Sequence, residues 1–393
     1  MNGWVKKRLD EICTLQRGFD LPTRLREKGD HPLISSSGCI DSQAEAKVSG
    51  PGVVTGRSGS IGSVFFVEKD FWPLNTTLYV KDFHGNDPRF IFHLLSKFDL
   101  KRFASGAGVP TLNRNSVHSE IVYVPSSISE QKRIVAIVDN AFEGIDRTIA
   151  NTKKNLANAR ELFKSYLNAI FTQNSDGWEA KRIEDVCEAI IDCINKTAST
   201  IDDPSPFKMI RTTNVRNGYV NLDSVKYVTE DTYRQWTRRQ LPKKGDVLLT
   251  REAPMGEVGM LLTDDQVFLG QRIVSYRTDS NKLNNKFLLY ALQSNDLQRQ
   301  IKAFASGSTV QHMRVPDTKN LRIAIPSLSV QKQVVQNLDV LLFQAQRLEA
   351  IYQQKLAALN ELKQSILQKA FTGELTADPA NQATKTAEGA IAA

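Results

Sequence analysis

The chain contains one stretch twice, and that duplication limits what it can fold into. The first copy opens at Pro125 with Ile128, Ser129, Gln131 and Lys132, and closes on Phe171 and Thr172. The second opens at Pro326 with Leu328, Ser329, Gln331 and Lys332, and closes on Phe371 and Thr372. Between these ends the same residues recur in register: Val135 with Val335, Asp139 with Asp339, Arg147 with Arg347, Leu156 with Leu356, Leu167 with Leu367. A period of roughly 200 residues is too long for a stacked solenoid and implies duplication of a whole domain plus its following segment.

Each copy has the pattern of a long helix. Neither contains proline, and only Gly144 interrupts the first. Apolar residues fall at Ile134, Val138, Ala141 and Ile145, then at Leu156, Ala159, Phe163, Tyr166 and Ile170; the second copy runs from Val334 and Leu338 through Leu356 and Leu359 to Ile366. Three–four alternation of this kind is a coiled-coil seam, with a skip expected near Thr152. Ser129 and Ser329 are the expected N-caps. At 1.5 Å per residue each copy makes a rod of roughly 65 Å. Two such seams in one chain pair most simply with each other, antiparallel; two ordinary long helices in a bundle fit the same pattern.

The segments before the rods are also related. Trp4 to Cys13 is echoed by Trp178 to Cys187, Arg57 by Arg251, and Phe103-Ala-Ser-Gly106 by Phe304-Ala-Ser-Gly307. Strand-like runs (52–57, 64–67, 74–80, 121–124) alternate with glycine-bearing turns, and 88–103 and 283–304 have helical spacing. The expected fold is therefore α+β. Two tandem globular domains, 1–125 and 174–326, are separated and followed by long helices, 126–173 and 327–375, which form an antiparallel coiled coil; 376–393 is expected to be a disordered tail. With 393 residues there is ample length for two cores, and a net charge of +8 is compatible with a polyanionic partner. No apolar run approaches membrane-spanning length and the N-terminus lacks a signal-peptide core, so a cytoplasmic protein is expected. Cys13, Cys39, Cys187 and Cys193 and the five histidines show no metal-ligand spacing.

Domain, rod, domain, rod, with Gln-Lys opening each rod and Ala370-Phe-Thr-Gly-Glu-Leu375 ending the second, resembles the specificity subunit of type I restriction–modification systems. The resemblance covers residues 1 to about 375. It implies that the globular segments are target recognition domains, each reading one half of a bipartite, asymmetric site in double-stranded DNA. It implies that the rods act as a ruler and dock two methyltransferase subunits, which restriction subunits join. Gln131, Lys132, Gln331 and Lys332 are then the candidate docking residues. Divergence between 34–47 and 206–228 implies two different half-sites.

Base reading needs donors and acceptors mounted on stiff loops. The loops offer Arg57, Ser58, Ser60, Asn75, Thr76 and Asn113 in the first domain. In the second they offer Arg251, Gln271, Arg272, Ser308, Thr309 and Gln311. Arg57 and Arg251, retained in both copies, are either base readers or members of a shared structural ion pair. Basic spots at 6–8, 181–182, 238–239 and 243–244 are candidate phosphate contacts. The chain has no Asn/Asp-Pro-Pro-Tyr/Phe segment of an adenine methyltransferase and no GxxxxGK[ST] phosphate loop. No catalytic residue, metal site or cofactor of its own is expected; S-adenosylmethionine, ATP and Mg belong on partner subunits. Two other readings remain at this point: a similar DNA-reading subunit in another DNA-modifying assembly, and a non-DNA coiled-coil scaffold.

Overall fold

The computed structural model describes residues 3–106, 110–172, 177–194, 196–307 and 311–376. Two compact units are present, and they do not follow the chain segment by segment. The first comprises Met1–Lys153 with Gln353–Ala393, the second Lys154–Tyr352. The divisions fall inside the two long helices, so each unit owns half of each rod.

In chain order, the first unit contains β1 (Trp4–Arg8), β2 (Thr14–Arg17), β3 (His31–Ser35), β4 (Gly38–Gln43), β5 (Gly52–Gly56), β6 (Val64–Val67), β7 (Trp72–Pro73) and β8 (Thr77–Asp82). Then come α1 (Pro88–Lys97), β9 (Ala104–Ser105), β10 (Thr111–Leu112), α2 (Arg114–His118), β11 (Ile121–Pro125) and the start of α3 (Ile128–Thr172). The main sheet is antiparallel with order β2-β8-β5-β6, a smaller one has order β4-β3-β7, and β1 pairs with β11. Asp87 caps α1 by accepting from the Arg89 and Phe90 N–H groups, and Pro88 follows at the first helical position, where its missing N–H costs nothing.

The second unit contains β12 (Glu179–Arg182), α4 (Ile183–Val186), β13 (Cys187–Asp192), β14 (Lys208–Ile210), β15 (Val215–Arg216), β16 (Gly218–Val220), β17 (Lys226–Tyr227) and α5 (Glu230–Thr237). These are followed by β18 (Val247–Arg251), β19 (Met255–Met260), β20 (Val267–Leu269), β21 (Ile273–Thr278), α6 (Asn285–Gln293), α7 (Asn295–Ala303), α8 (Val315–Lys319), β22 (Arg322–Ile325) and the start of α9 (Leu328–Ala370). The order β13-β21-β18-β19 repeats β2-β8-β5-β6, and β17-β14-β20 repeats β4-β3-β7. The divergent segment adds β15 and β16, which extend the main sheet to six strands, and α5 follows it. The single helix expected over 283–304 is two helices, broken where the buried Ser294 turns its hydroxyl onto the Ala291 carbonyl and caps α7.

Both rods are continuous and run antiparallel where they meet inside each unit. In the first unit Asp146 accepts from Lys363 at 2.5 Å, and Lys363 also lies over the Phe142 ring. In the second Arg160 pairs with Glu349. The seam in α3 is buried at Val138, Ile145, Thr152 and Ala159, one position per heptad. No skip occurs at Thr152, because its hydroxyl donates to the Thr148 carbonyl and leaves the methyl for the seam. The rods begin one residue before Ser129 and Ser329. The Gln131 and Gln331 N–H groups already bond the carbonyls of Ser127 and Ser327, so these earlier serines stand at the helix entry.

The repeated Gln is a structural clasp, not an exposed docking residue. Gln131 is 1% exposed; its Oε1 accepts from the Asp87 N–H at 2.9 Å, and its Nε2 donates to Asn86 Oδ1 and the Pro125 carbonyl. Gln331 is fully buried and accepts from the Asn284 N–H at 2.8 Å, while donating to the Lys282 and Pro326 carbonyls. Asp87 and Asn284 are the N-caps of α1 and α6, so each rod grips the cap of its own domain's helix. The repeated Phe supplies the other grip, from the opposite rod. Phe371 packs on Phe90 with ring centroids 5.1 Å apart, and Phe171 on Phe287 at 5.2 Å. Lys132 and Lys332 remain exposed.

A carboxylate about two turns further along each rod completes the grip. Asp139 accepts from Arg89 Nε at 2.5 Å and from His93 Nε2 at 2.7 Å; Asp339 accepts from Lys286 at 2.6 Å and from the Tyr290 hydroxyl at 2.6 Å. His93 is 1% exposed and its Nδ1 has no partner among the described residues. Burial therefore holds its pKa below the ordinary value, against the raising effect of Asp139.

Two outcomes are expected. Replacing Gln131 or Gln331 by Ala strands buried polar groups and should lower stability by roughly 1–3 kcal/mol, read by denaturant melts. For His93 the unfolded chain takes up a proton near pH 6.5 while the folded chain resists it, so stability present above that pH is lost as pH falls toward the lower folded value. His118, whose Nε2 accepts from the Leu15 N–H and whose pKa is also lowered by burial, acts in the same direction. His93→Gln should reduce the loss of melting temperature between pH 7.5 and 5.5, and an unchanged loss would assign it to other groups.

Candidate nucleic-acid interface

In the first unit a cleft of about 460 Å³ is lined by Arg17, Arg57, Thr111, Asn113, Arg114 and Asn115, with Leu78 and Leu112 beneath. Three separate elements bring the arginines together: the end of β2, the turn after β5, and the first position of α2. Arg57 is the most constrained. Its N–H donates to the Thr76 carbonyl at 2.8 Å and its carbonyl accepts from the Leu112 N–H at 2.7 Å, which ties the turn to β10. Among the described residues its guanidinium reaches only the Asn75 carbonyl, at 3.5 Å. Among the described residues neither Arg57 nor Arg114 has a carboxylate at ion-pair distance, and Arg17 has only Asp20 at 3.8 Å.

The other basic spots are mixed: Lys6, Lys7, Arg238 and Lys243 have no carboxylate at ion-pair distance among the described residues, while five of their neighbours do. Arg8 pairs with Asp10, Lys181 with Glu179, Arg182 with Glu184, Arg239 with Asp192 and Lys244 with Asp264. Among the described residues the cleft gathers three arginines of which only Arg17 has a carboxylate at ion-pair distance.

The remaining first-domain candidates fall into two groups. Asn113 lines the cleft, where its side chain also caps α2 by accepting from the Asn115 N–H. Asn75 donates to Asp20, and Thr76 serves the turn through its carbonyl, which accepts from both Arg57 and Ser58. Ser58 bridges to Thr111, and Ser60 is exposed on the loop that follows. Sequence reasoning missed Arg17, Arg114 and Asn115. Arg17 ends a strand and the other two open a five-residue helix, so no glycine-bearing loop marked them.

The second unit treats its candidates differently. Arg251 repeats the backbone bonds of Arg57: its N–H donates to the Arg272 carbonyl and its carbonyl accepts from the Met313 N–H. Its side chain, however, is turned inward. It is 7% exposed, NH1 donates to the Met313 carbonyl at 2.8 Å, and burial lowers its pKa. Gln271 bonds Thr197, and Arg272, at φ +70°, pairs with Glu252 at 3.1 Å. Gln311 is exposed, while Ser308 and Thr309 lie outside the described residues.

Two repeats of one α+β plan, each joined to a long helix, agree with the comparison to known proteins. The sequence model of the type I restriction modification DNA specificity domain matches residues 1–158 and again 175–361. The chain belongs to this family. It is 23% identical over 318 residues to the EcoBI specificity subunit of Escherichia coli, covering 74% of this chain and 66% of that protein. It is 22% identical over 308 residues to the MjaVIII specificity subunit of Methanocaldococcus jannaschii, covering 74% and 70%. A chain from a solved type I R-M system superposes with a TM-score of 0.73 at 19% identity, over 95% of this chain and 99% of that one. The HsdS subunit from Thermoanaerobacter tengcongensis superposes with a TM-score of 0.52 at 20% identity, over 95% and 97%. At these identities the structural likenesses show the fold.

The two specificity domains thus share a frame and differ in what they present from it. Among the described residues no group of His, Cys, Asp and Glu could hold a metal ion, and no helix is long and apolar enough to cross a membrane. The duplicated arginines should separate experimentally. Arg251→Ala removes a buried, hydrogen-bonded side chain and should cost roughly 2–4 kcal/mol of stability in a denaturant melt. Arg57→Ala should cost about 1 kcal/mol or less. Equal losses would contradict the inward and outward placements.

Proposed function

We propose that this chain is the sequence-reading subunit of a type I restriction–modification complex and carries no chemistry of its own. Each specificity domain reads one half of a bipartite, asymmetric site in double-stranded DNA, and the length of the rods sets the spacer between the halves. Two methyltransferase subunits dock on the rods and bring S-adenosylmethionine; restriction subunits join through them and bring ATP and Mg. The observation that carries this reading is the pair of specificity domains in one chain, the first with an arginine-lined cleft suited to a polyanion.

Partner docking is supported by apolar side chains that the rods leave in solvent. In the second unit Phe343 is 66% exposed and Val340 57%, with Leu162 and Ile351 also exposed. Large apolar groups on a rod surface favour a covering partner. The exposed Lys132 and Lys332 are proposed to lie at the edge of such a contact, whereas Gln131 and Gln331 act from within.

Single-molecule methylome sequencing of the host with and without this gene tests the reading. Methyladenine is expected to vanish at one gapped, asymmetric motif. Exchanging residues 1–125 for another specificity domain should change one half of that motif only. An unchanged methylome with active methyltransferase subunits present, or a change in both halves after the exchange, would overturn it.

A further inference from the structure

The sheet register allows the two domains to be compared position by position at the cleft. Arg57 and Arg251 donate their N–H groups to Thr76 and Arg272, so Leu78 and Val274, each two residues later on β8 and β21, occupy equivalent places. Arg17 lies opposite Leu78, and Asp192 lies opposite Val274. Likewise Leu112 and Met313 are equivalent, since each donates to the arginine carbonyl, which puts Arg114 in the place of Val315. The first domain therefore has Arg17, Arg57 and Arg114 where the second has Asp192, Arg251 and Val315. Asp192 is paired with Arg239 at 2.6 Å, and Arg251 is bonded inward to the Met313 carbonyl. Arg314, in the place of Asn113, is spent on Asp317. Two guanidinium groups without a carboxylate at ion-pair distance among the described residues, and a third with only Asp20 at 3.8 Å, stand in one domain against an arrangement with no free cation of the trio in the other.

We infer that Arg17 and Arg114, on either side of Arg57, form a phosphodiester clamp on the DNA backbone, that this clamp belongs to the first domain only, and that it anchors rather than reads. This inference rests on the DNA-reading function proposed above and assigns these residues a role within it. Like charges converge in a cleft only at a Coulombic cost, which an anion seated there removes. The shape also matters. Base edges lie on the floor of a groove and must be met by something protruding, whereas a concave site fits the convex sugar–phosphate backbone. Reading a base further requires a side chain held in one direction. Arg17 and Arg114 are exposed, and no hydrogen bond fixes the guanidinium of Arg114 among the described residues, which suits a phosphate and not a bidentate guanine contact. The clamp makes the half-sites unequal, with the first domain supplying more of the salt-sensitive affinity.

The test uses the full chain co-purified with its methyltransferase subunits, bound to a duplex carrying the motif from the methylome. Arg17→Gln and Arg114→Gln, singly and together, are compared with the unmodified chain between 50 and 200 mM salt. Each arginine removed should lower the slope of log affinity against log salt by about 0.9. Affinity should weaken by the same factor for the matched duplex and for duplexes altered at single positions of either half-site. An unchanged slope overturns the clamp. Relaxed discrimination at one base position overturns it in favour of direct reading by that arginine. Both side chains are exposed, so melting curves should not move. If the unmodified complex shows no sequence-specific binding, the parent function falls and takes the clamp with it, an outcome separate from normal binding with unaltered variants.

Discussion

The rest of the structure depends on a buried amide that reaches from a rod to a helix cap. Gln131 and Gln331 each satisfy the N–H of a capping residue and at the same time hold the carbonyl of the proline that ends the domain. A polar side chain with this little exposure is stable only when all its groups are matched, so the contact has one geometry and tolerates little drift. The angle at which a rod leaves its domain is fixed there, at its first turn. Around it lie a carboxylate with two donors and, from the antiparallel rod, a phenylalanine ring in the domain core. The two ends of the duplicated stretch are thus both sockets, one polar and one apolar.

This arrangement explains why the duplication was visible in the sequence and why its meaning was not. The α+β class, the two domains, the long rods and their antiparallel pairing follow from periodicity and repetition, which are local properties. A glutamine followed by a lysine at a helix start reads as surface chemistry, because long polar side chains are usually solvated. Only the fold shows that Gln131 faces the Asn86 side chain and the Asp87 N–H. Thr152 is the converse case: a polar residue in an apolar heptad reads as a break, yet its hydroxyl closes onto its own helix and the seam runs on.

The candidate interface was legible in part for a similar reason. Arg57 stood out because a glycine-rich turn and its duplicate flagged it. The same duplication suggested that Arg251 would behave alike, and the backbone does, bond for bond. The side chains diverge: Arg251 is bonded to the Met313 carbonyl, and β13 ends in Asp192, paired with Arg239, where β2 ends in Arg17. Charge at one strand end is a tertiary neighbour of the arginine turn and is far from it in sequence, so neither the partnership nor its inversion appears in a linear motif. A duplicated frame conserves hydrogen bonds along the backbone, while the surface it carries is free to specialise.

The division of the chain has a consequence for the ribosome. All of the second unit lies within one continuous run, residues 154–352, and can close as soon as that run has emerged. The first domain is made first but cannot be completed first, because Leu367, Ala370 and Phe371 belong to its core. At 5–20 residues per second, its apolar floor stays open for roughly ten to forty seconds after its own rod has been made. Throughout that interval the nascent chain carries an unfilled socket whose proper occupant does not yet exist, and the second rod, translated after the whole second domain, is the helix that finishes the first one.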